Sequence, residues 1–222
     1  MTNLSDRRAL PGLSYPEQSL KRLSSDLAAR FHGIFAAETV ERYVLESYTG
    51  LLRTSSVKAH LTTRTSSFAR ERLTALAQAK GAIERPVPEV LFVCEQNAAR
   101  SQMAAVFTTA LSDGAVHVRS AGSMPSSELN PTVVQVMNEL GLSLDESFPK
   151  PLTDDVVQAA DIVITMGCGD ACPIYPGKRY VDWELLDPAG QSIDEVRRIR
   201  DQIKTNVSAM LVGLGVAPVA EY

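Results

Sequence analysis

The stretch Val90-Leu-Phe-Val-Cys94-Glu-Gln-Asn97-Ala-Ala-Arg100-Ser101 constrains this chain more than any other. Its first residues form a short, wholly apolar run, the pattern of a strand buried on both faces of a parallel sheet. The run ends at a cysteine, and Gln102–Leu111 then takes up helical spacing, so the intervening loop joins a strand to a helix N-terminus. Backbone N–H groups of such a loop, together with the helix dipole, converge on one spot and favour an anion there. Arg100 can fork two hydrogen bonds onto a tetrahedral oxyanion. The same field favours the thiolate form of Cys94, giving a nucleophile beside a bound anion. The expected anion-binding residues are therefore the loop positions Glu95, Gln96, Asn97, Ala98, Ala99 and Arg100. Glu95 would oppose a dianion unless its side chain faces solvent.

A second cysteine group follows another apolar run, Asp161-Ile-Val-Ile-Thr-Met166, in Gly167-Cys168-Gly-Asp-Ala-Cys172-Pro173. Sites in open α/β sheets form beyond the carboxyl ends of the strands, so this loop is expected at the same sheet edge as Cys94. The flanking glycines favour a mobile segment, and Pro173 discourages a helix through Cys172. Cys168 and Cys172 are the only cysteines besides Cys94, and the three together look like a redox relay. Two other readings of the pair stay open. It could contribute to a metal site, although His32, His60 and His117 lie in unrelated segments and zinc takes four ligands. It could also pack as two small hydrophobes. No metal is expected. A third feature, Asp187-Pro188, follows a fourth predicted strand, Arg179–Asp182, and supplies a loop carboxylate suited to handling a proton.

Taken together, Cys94-x5-Arg100-Ser101, the late Asp187-Pro188 and Ser120-Ala-Gly122 resemble the low-molecular-weight phosphotyrosine phosphatase family. The Cys168/Cys172 pair is similar to that of its thiol-dependent arsenate reductases. The resemblance covers about residues 88 to 214. It implies an enzyme, an arsenate reductase, with Cys94, Arg100, Ser101, Asp187, Cys168 and Cys172 as its catalytic residues. Cys94 would attack arsenate while Ser101 stabilises its thiolate, and Asp187 would protonate the departing oxygen. Cys168 and then Cys172 would carry the resulting disulfide outward to thioredoxin. No bound cofactor is implied. Mycothiol is the alternative reductant, although relatives of that kind need no resolving pair. A phosphatase hydrolysing phosphate monoesters is the alternative activity, but the aromatic residue that usually follows its Asp-Pro is here Ala189. Outside enzymes, an anion- or redox-sensing module would use the same loop without turnover.

The remainder of the chain bounds these expectations. A net charge of −4 without a long basic run suggests neither a nucleic-acid nor a membrane partner. No apolar run is long enough to span a bilayer, and the polar first residues do not resemble a signal peptide. Three cysteines, an odd number, favour a reducing cytoplasm over a secreted disulfide framework.

Before residue 85 the pattern is purely helical: Leu20, Leu23, Leu27 and Phe31 share one face, Val40, Tyr43, Val44 and Leu51 another, and Ala69, Leu73, Leu76 and Ala77 a third. Arg85-Pro86-Val-Pro88 reads as a linker. The expectation is a small all-α three-helix domain over 1–85 and, over 86–222, an α/β domain with a four-stranded parallel sheet flanked by helices. Strands are predicted at 90–93, 117–120, 161–165 and 179–182, and helices near 100–112, 130–140, 153–159 and 192–214. Lys21, Arg22, Arg70 and Arg72 read as a solvated face.

Overall fold

The structure, a computed structural model, describes residues 16–54, 60–167 and 172–219. Three helices come first: α1 (Pro16–Arg30), α2 (Ala37–Thr54) and α3 (Leu61–Ala79). Each buries the apolar stripe that its spacing marked out. Leu20, Leu23, Leu27, Val40, Tyr43, Val44, Ala69 and Leu73 meet in one cluster. Pro16 opens α1, where a missing N–H costs nothing.

Strands and helices then alternate as β1 (Glu89–Cys94), α4 (Arg100–Ser112), β2 (His117–Gly122), α5 (Pro131–Asn138), α6 (Asp154–Ala159), β3 (Ile162–Met166), β4 (Arg179–Asp182) and α7 (Ile193–Gly213). The four strands form one sheet in the order β2-β1-β3-β4, and every pairing is parallel. β1 is central and fully buried, as its unbroken apolar run requires. Its period of two sends Val90, Phe92 and Cys94 into the core shared with α4, α5 and α7. Leu91 and Val93 point the other way, against Val156, Val157 and Ala75 of α6 and α3. Asn130 caps α5, its Oδ1 accepting from the backbone N–H groups of Thr132 (2.9 Å) and Val133 (3.2 Å).

β2 and β3 each run beyond the stretch predicted for them, to Gly122 and Met166, because these residues still pair with Cys94. One expectation is overturned. Arg72 is not on a solvated face: it is 7% exposed and forms a buried ion pair with Asp155 of α6. Its guanidinium also bonds Glu46 and Ser47 and stacks on Tyr43, 4.5 Å from the ring centre. Burial pushes the Asp155 carboxyl above its ordinary range, and the nearby Arg72 charge only partly offsets this.

A second buried polar group ties α3 to the sheet. Glu89 accepts hydrogen bonds from Gln78, from His117 Nδ1 (2.6 Å) and from Arg119, which itself donates to Gln78 Oε1 (2.7 Å). Burial alone would raise the Glu89 carboxyl. The hydrogen bonds from His117 and Gln78 and the Arg119 and His117 charges outweigh it and hold the carboxyl below its ordinary range. Among the described residues no helix is long and apolar enough to cross a membrane.

Candidate active site

The carboxyl ends of β1, β2 and β3 meet where Cys94 pairs with both Gly122 and Met166. Beyond Cys94 the chain turns through the loop 95–99 and enters α4 at Arg100, as the spacing predicts. The outward face of the loop is tied down by its carbonyls. Cys94 O accepts from Ser123 N (3.2 Å), Glu95 O from Met124 N (2.8 Å), Gln96 O from Ser126 N (3.0 Å) and Ala98 O from Asn130 N (3.0 Å). With these carbonyls engaged from outside, the Asn97 N–H turns inward to the Cys94 sulfur, as in an anion nest. Glu95 and Gln96 keep partial or full exposure, whereas Asn97, Ala98 and Ala99 are buried.

Cys94 is itself buried, 1% exposed, and its sulfur receives the Asn97 backbone N–H at 3.2 Å. Ser101 Oγ lies 3.0 Å from the same sulfur. Asn97 takes a left-handed backbone conformation (φ +48°), uncommon for any residue but glycine yet tolerated best by asparagine. That turn aims its N–H at the sulfur.

Arg100 is buried as well, and one of its terminal nitrogens is paired with Asp187. Its Nη1 donates to Leu185 O (3.4 Å), while its Nε is buried without a hydrogen-bond partner among the described residues. A buried guanidinium nitrogen with no partner, on the first residue of the helix that follows the loop, is a donor suited to an oxyanion. The other oxygen of Asp187 accepts from Ala189 N (2.8 Å), which fixes the Asp-Pro turn at the mouth of the loop. The Asp187 side chain remains 41% exposed, open to exchange a proton with solvent.

The structure thus brings Cys94, Asn97, Arg100, Ser101 and Asp187 together. Cys172 follows the end of β3 and packs, half-buried, against the cluster of Val156, Val163 and Val93. Cys168 falls outside the described residues. No three His, Cys, Asp or Glu side chains gather to hold a metal among the described residues.

Four contributors escaped the sequence reading. Gln102 donates from Nε2 to Asn97 O, Asn97 Oδ1 and Phe148 O, all within 3.1 Å. Gly167 presses on Arg100: an added β-carbon would meet Nη1 at 2.8 Å. Leu185 supplies the carbonyl that orients the guanidinium, and Lys150 donates its backbone N–H to Asn97 Oδ1 (3.0 Å). A glycine directly after a strand was the one available signal, at Gly167; the other three carry none.

The chain is similar to known proteins. Residues 89–217 match the low molecular weight phosphotyrosine protein phosphatase family, and residues 20–77 match the protein-tyrosine-phosphatase-like N-terminal domain. A solved thioredoxin-dependent arsenate reductase of Corynebacterium glutamicum is 44% identical, with a TM-score of 0.82 over 89% of this chain and 97% of that one. A glutaredoxin arsenate reductase of Synechocystis sp. is 35% identical over 126 residues, covering 55% of this chain and 95% of its own length. Arsenate reductase 1 of Staphylococcus epidermidis is 34% identical over 122 residues, 53% of this chain and 91% of that protein. On the match that spans its whole sheet and anion loop, the chain belongs to the low molecular weight phosphotyrosine protein phosphatase family.

Proposed function

We propose that the protein is an arsenate reductase that converts arsenate to arsenite at Cys94 and is recycled by thioredoxin. One observation carries the reading: the Asn97 backbone N–H and the Ser101 hydroxyl lie on the Cys94 sulfur, in the loop that ends at a buried guanidinium whose Nε has no hydrogen-bond partner among the described residues. The names of the similar proteins support arsenate as substrate, and that of the Corynebacterium protein supports thioredoxin as reductant. In the same reading residues 1–85 are a helical N-terminal domain and residues 86–222 the catalytic one.

The chemistry balances with three thiols. The Cys94 thiolate attacks arsenic held by the loop and Arg100. A sulfur–arsenic bond forms and an arsenic–oxygen bond breaks, the oxygen leaving as water with a proton from Asp187. Ser101 holds the thiolate by hydrogen bonding before the attack. Cys168 then attacks the sulfur of Cys94; a disulfide forms, and the electron pair of the sulfur–arsenic bond stays on arsenic, which departs as arsenite. Cys172 attacks Cys168 in turn, releasing the Cys94 thiolate and leaving a Cys168–Cys172 disulfide. Thioredoxin reduces that disulfide, so two electrons enter for each arsenate reduced.

The test is arsenate-dependent NADPH oxidation with thioredoxin and thioredoxin reductase, wild type beside Cys172→Ser. Turnover in wild type that collapses in the variant supports both reaction and relay; equal turnover in the two sinks the relay. Substituting glutaredoxin or mycothiol for thioredoxin separates the possible reductants. Aryl-phosphate hydrolysis that survives replacement of both Cys168 and Cys172, with no arsenate turnover, would instead favour the phosphatase.

A further inference from the structure

We infer that the N-terminal helices are part of the catalytic apparatus: through the strap Phe148–Leu152 they orient Asn97, and through Asn97 they set the hydrogen bonds received by Cys94. The inference rests on the reading of Cys94 as the nucleophile and assigns the helices a task in it.

The argument begins with the Asn97 carboxamide. Its Oδ1 accepts from the backbone N–H of Lys150 (3.0 Å). A backbone N–H can only donate, so this contact decides which end of the amide is oxygen. The Nδ2 end then faces Ser101 Oγ at 2.8 Å and donates to it. Ser101 has one proton, and with Asn97 supplying a donor, that proton is directed to the Cys94 sulfur 3.0 Å away. Lys150 N–H therefore determines, two hydrogen bonds away, that Ser101 donates to sulfur rather than accepting from it. Gln102, 3% exposed, locks the same amide and ties it to Phe148 O (3.0 Å).

The strap that presents Phe148 O and Lys150 N belongs to no helix or strand. On its catalytic side it bonds β2, with Gly122 N donating to Lys150 O and Leu152 N to Gly122 O, both at 2.9 Å. Its other side is held by the N-terminal helices. The Phe148 ring is buried with Leu51, Leu61 and Phe68 of α2 and α3, under the guanidinium of Arg64. Lys150 Nζ pairs with Glu71 of α3 at 2.6 Å, both side chains mostly buried. Pro151 lies against Gly50 of α2, where an added β-carbon would meet its Cγ at 3.4 Å. A short irregular segment takes its position from what anchors it, and here the anchors on one side are α2 and α3.

The test reads the thiol without arsenate. Cys168→Ser/Cys172→Ser leaves Cys94 as the only cysteine of the chain's three. In that background the rate of Cys94 alkylation by iodoacetamide is measured against pH for Phe148→Ala, Phe148→Leu and Glu71→Gln, with thermal unfolding recorded for each. Phe148→Ala is expected to move the alkylation midpoint to higher pH and slow the reaction below it by about tenfold, the scale of one misdirected hydrogen bond to a charged group. Phe148→Leu should restore most of the profile, and Glu71→Gln should shift it the same way by less. Should Phe148→Ala fail to fold, Glu71→Gln carries the decision alone. Profiles that superimpose on the parent in folded variants, even with lowered melting temperatures, would overturn the inference by reducing the helices to structural support. Because no arsenate is used, that failure is distinct from a failure of arsenate turnover.

Discussion

A β-carbon on Gly122 would lie 2.9 Å from both the backbone nitrogen and the Cβ of Asn97, and 2.8 Å from the carbonyl oxygen of Glu95. Strand β2 thus supports the anion loop from below with no room for a methyl group. Two of the three clashes are with backbone, so Gly122→Ala forces the loop itself to move. The expected result is a folded protein, destabilised by about 1–3 kcal/mol through overpacking, whose arsenate-dependent turnover falls by about a hundredfold as Cys94 and its donors lose alignment. Steady-state kinetics beside a denaturation curve check both halves; unchanged kcat would contradict the rigidity ascribed to the loop.

Arg100 is held in place by Leu185 O, by Asp187 and by the bare backbone of Gly167. Lysine at this position keeps the charge but loses the planar fork and cannot span both Asp187 and an oxyanion. Arg100→Lys is expected to lower kcat/KM for arsenate by about a hundredfold or more and to weaken competitive inhibition by inorganic phosphate in parallel. If phosphate inhibition were undiminished, the guanidinium would not be the anion's ligand.

The far end of the sheet predicts a pH dependence. Glu89 titrates below its ordinary value when folded, so its contribution to stability is present above the ordinary carboxylate range. That contribution is lost as pH falls through the depressed value. Glu89→Gln removes that titration and leaves Arg119 without its carboxylate. A loss of about 3 kcal/mol is expected at neutral pH, with the gap to wild type narrowing on acidification. Thermal unfolding across the acid range measures the two curves; a constant gap would show that Glu89 is not ionised in the fold.

Much of this was readable because it is local. The apolar run at 90–93 reads as a buried strand, Asn130-Pro131 carries its own cap, and the arginine spacing marks where α4 begins. What escaped depends on partners distant in sequence. Arg72 sits next to the buried Leu73 on α3, yet nothing near it announces Asp155, 83 residues away. Gln102 reads as one more polar helix residue until Phe148 and Asn97 are seen around its amide. The strap carries no legible pattern, since Phe148 and Lys150 each meet the site through backbone and the helices through the side chain. Asn97 was expected to serve the anion through its backbone N–H; that its side chain bonds Ser101, Gln102 and Lys150 is a separate task the sequence did not announce.

The sheet contains only parallel pairings, and this bears on how the protein comes to exist. Parallel neighbours need crossovers, so no two of these strands can zip from a tight turn. β1 and β3 are neighbours in the sheet but are separated in sequence by α4, β2, α5 and α6, the kind of non-local pairing that slows folding. Helices α1 to α3, by contrast, are local in sequence and can form early. Cys94 and Met166 meet across the β1–β3 interval, so the reactive centre is built from a contact distant in sequence that local structure alone cannot assemble.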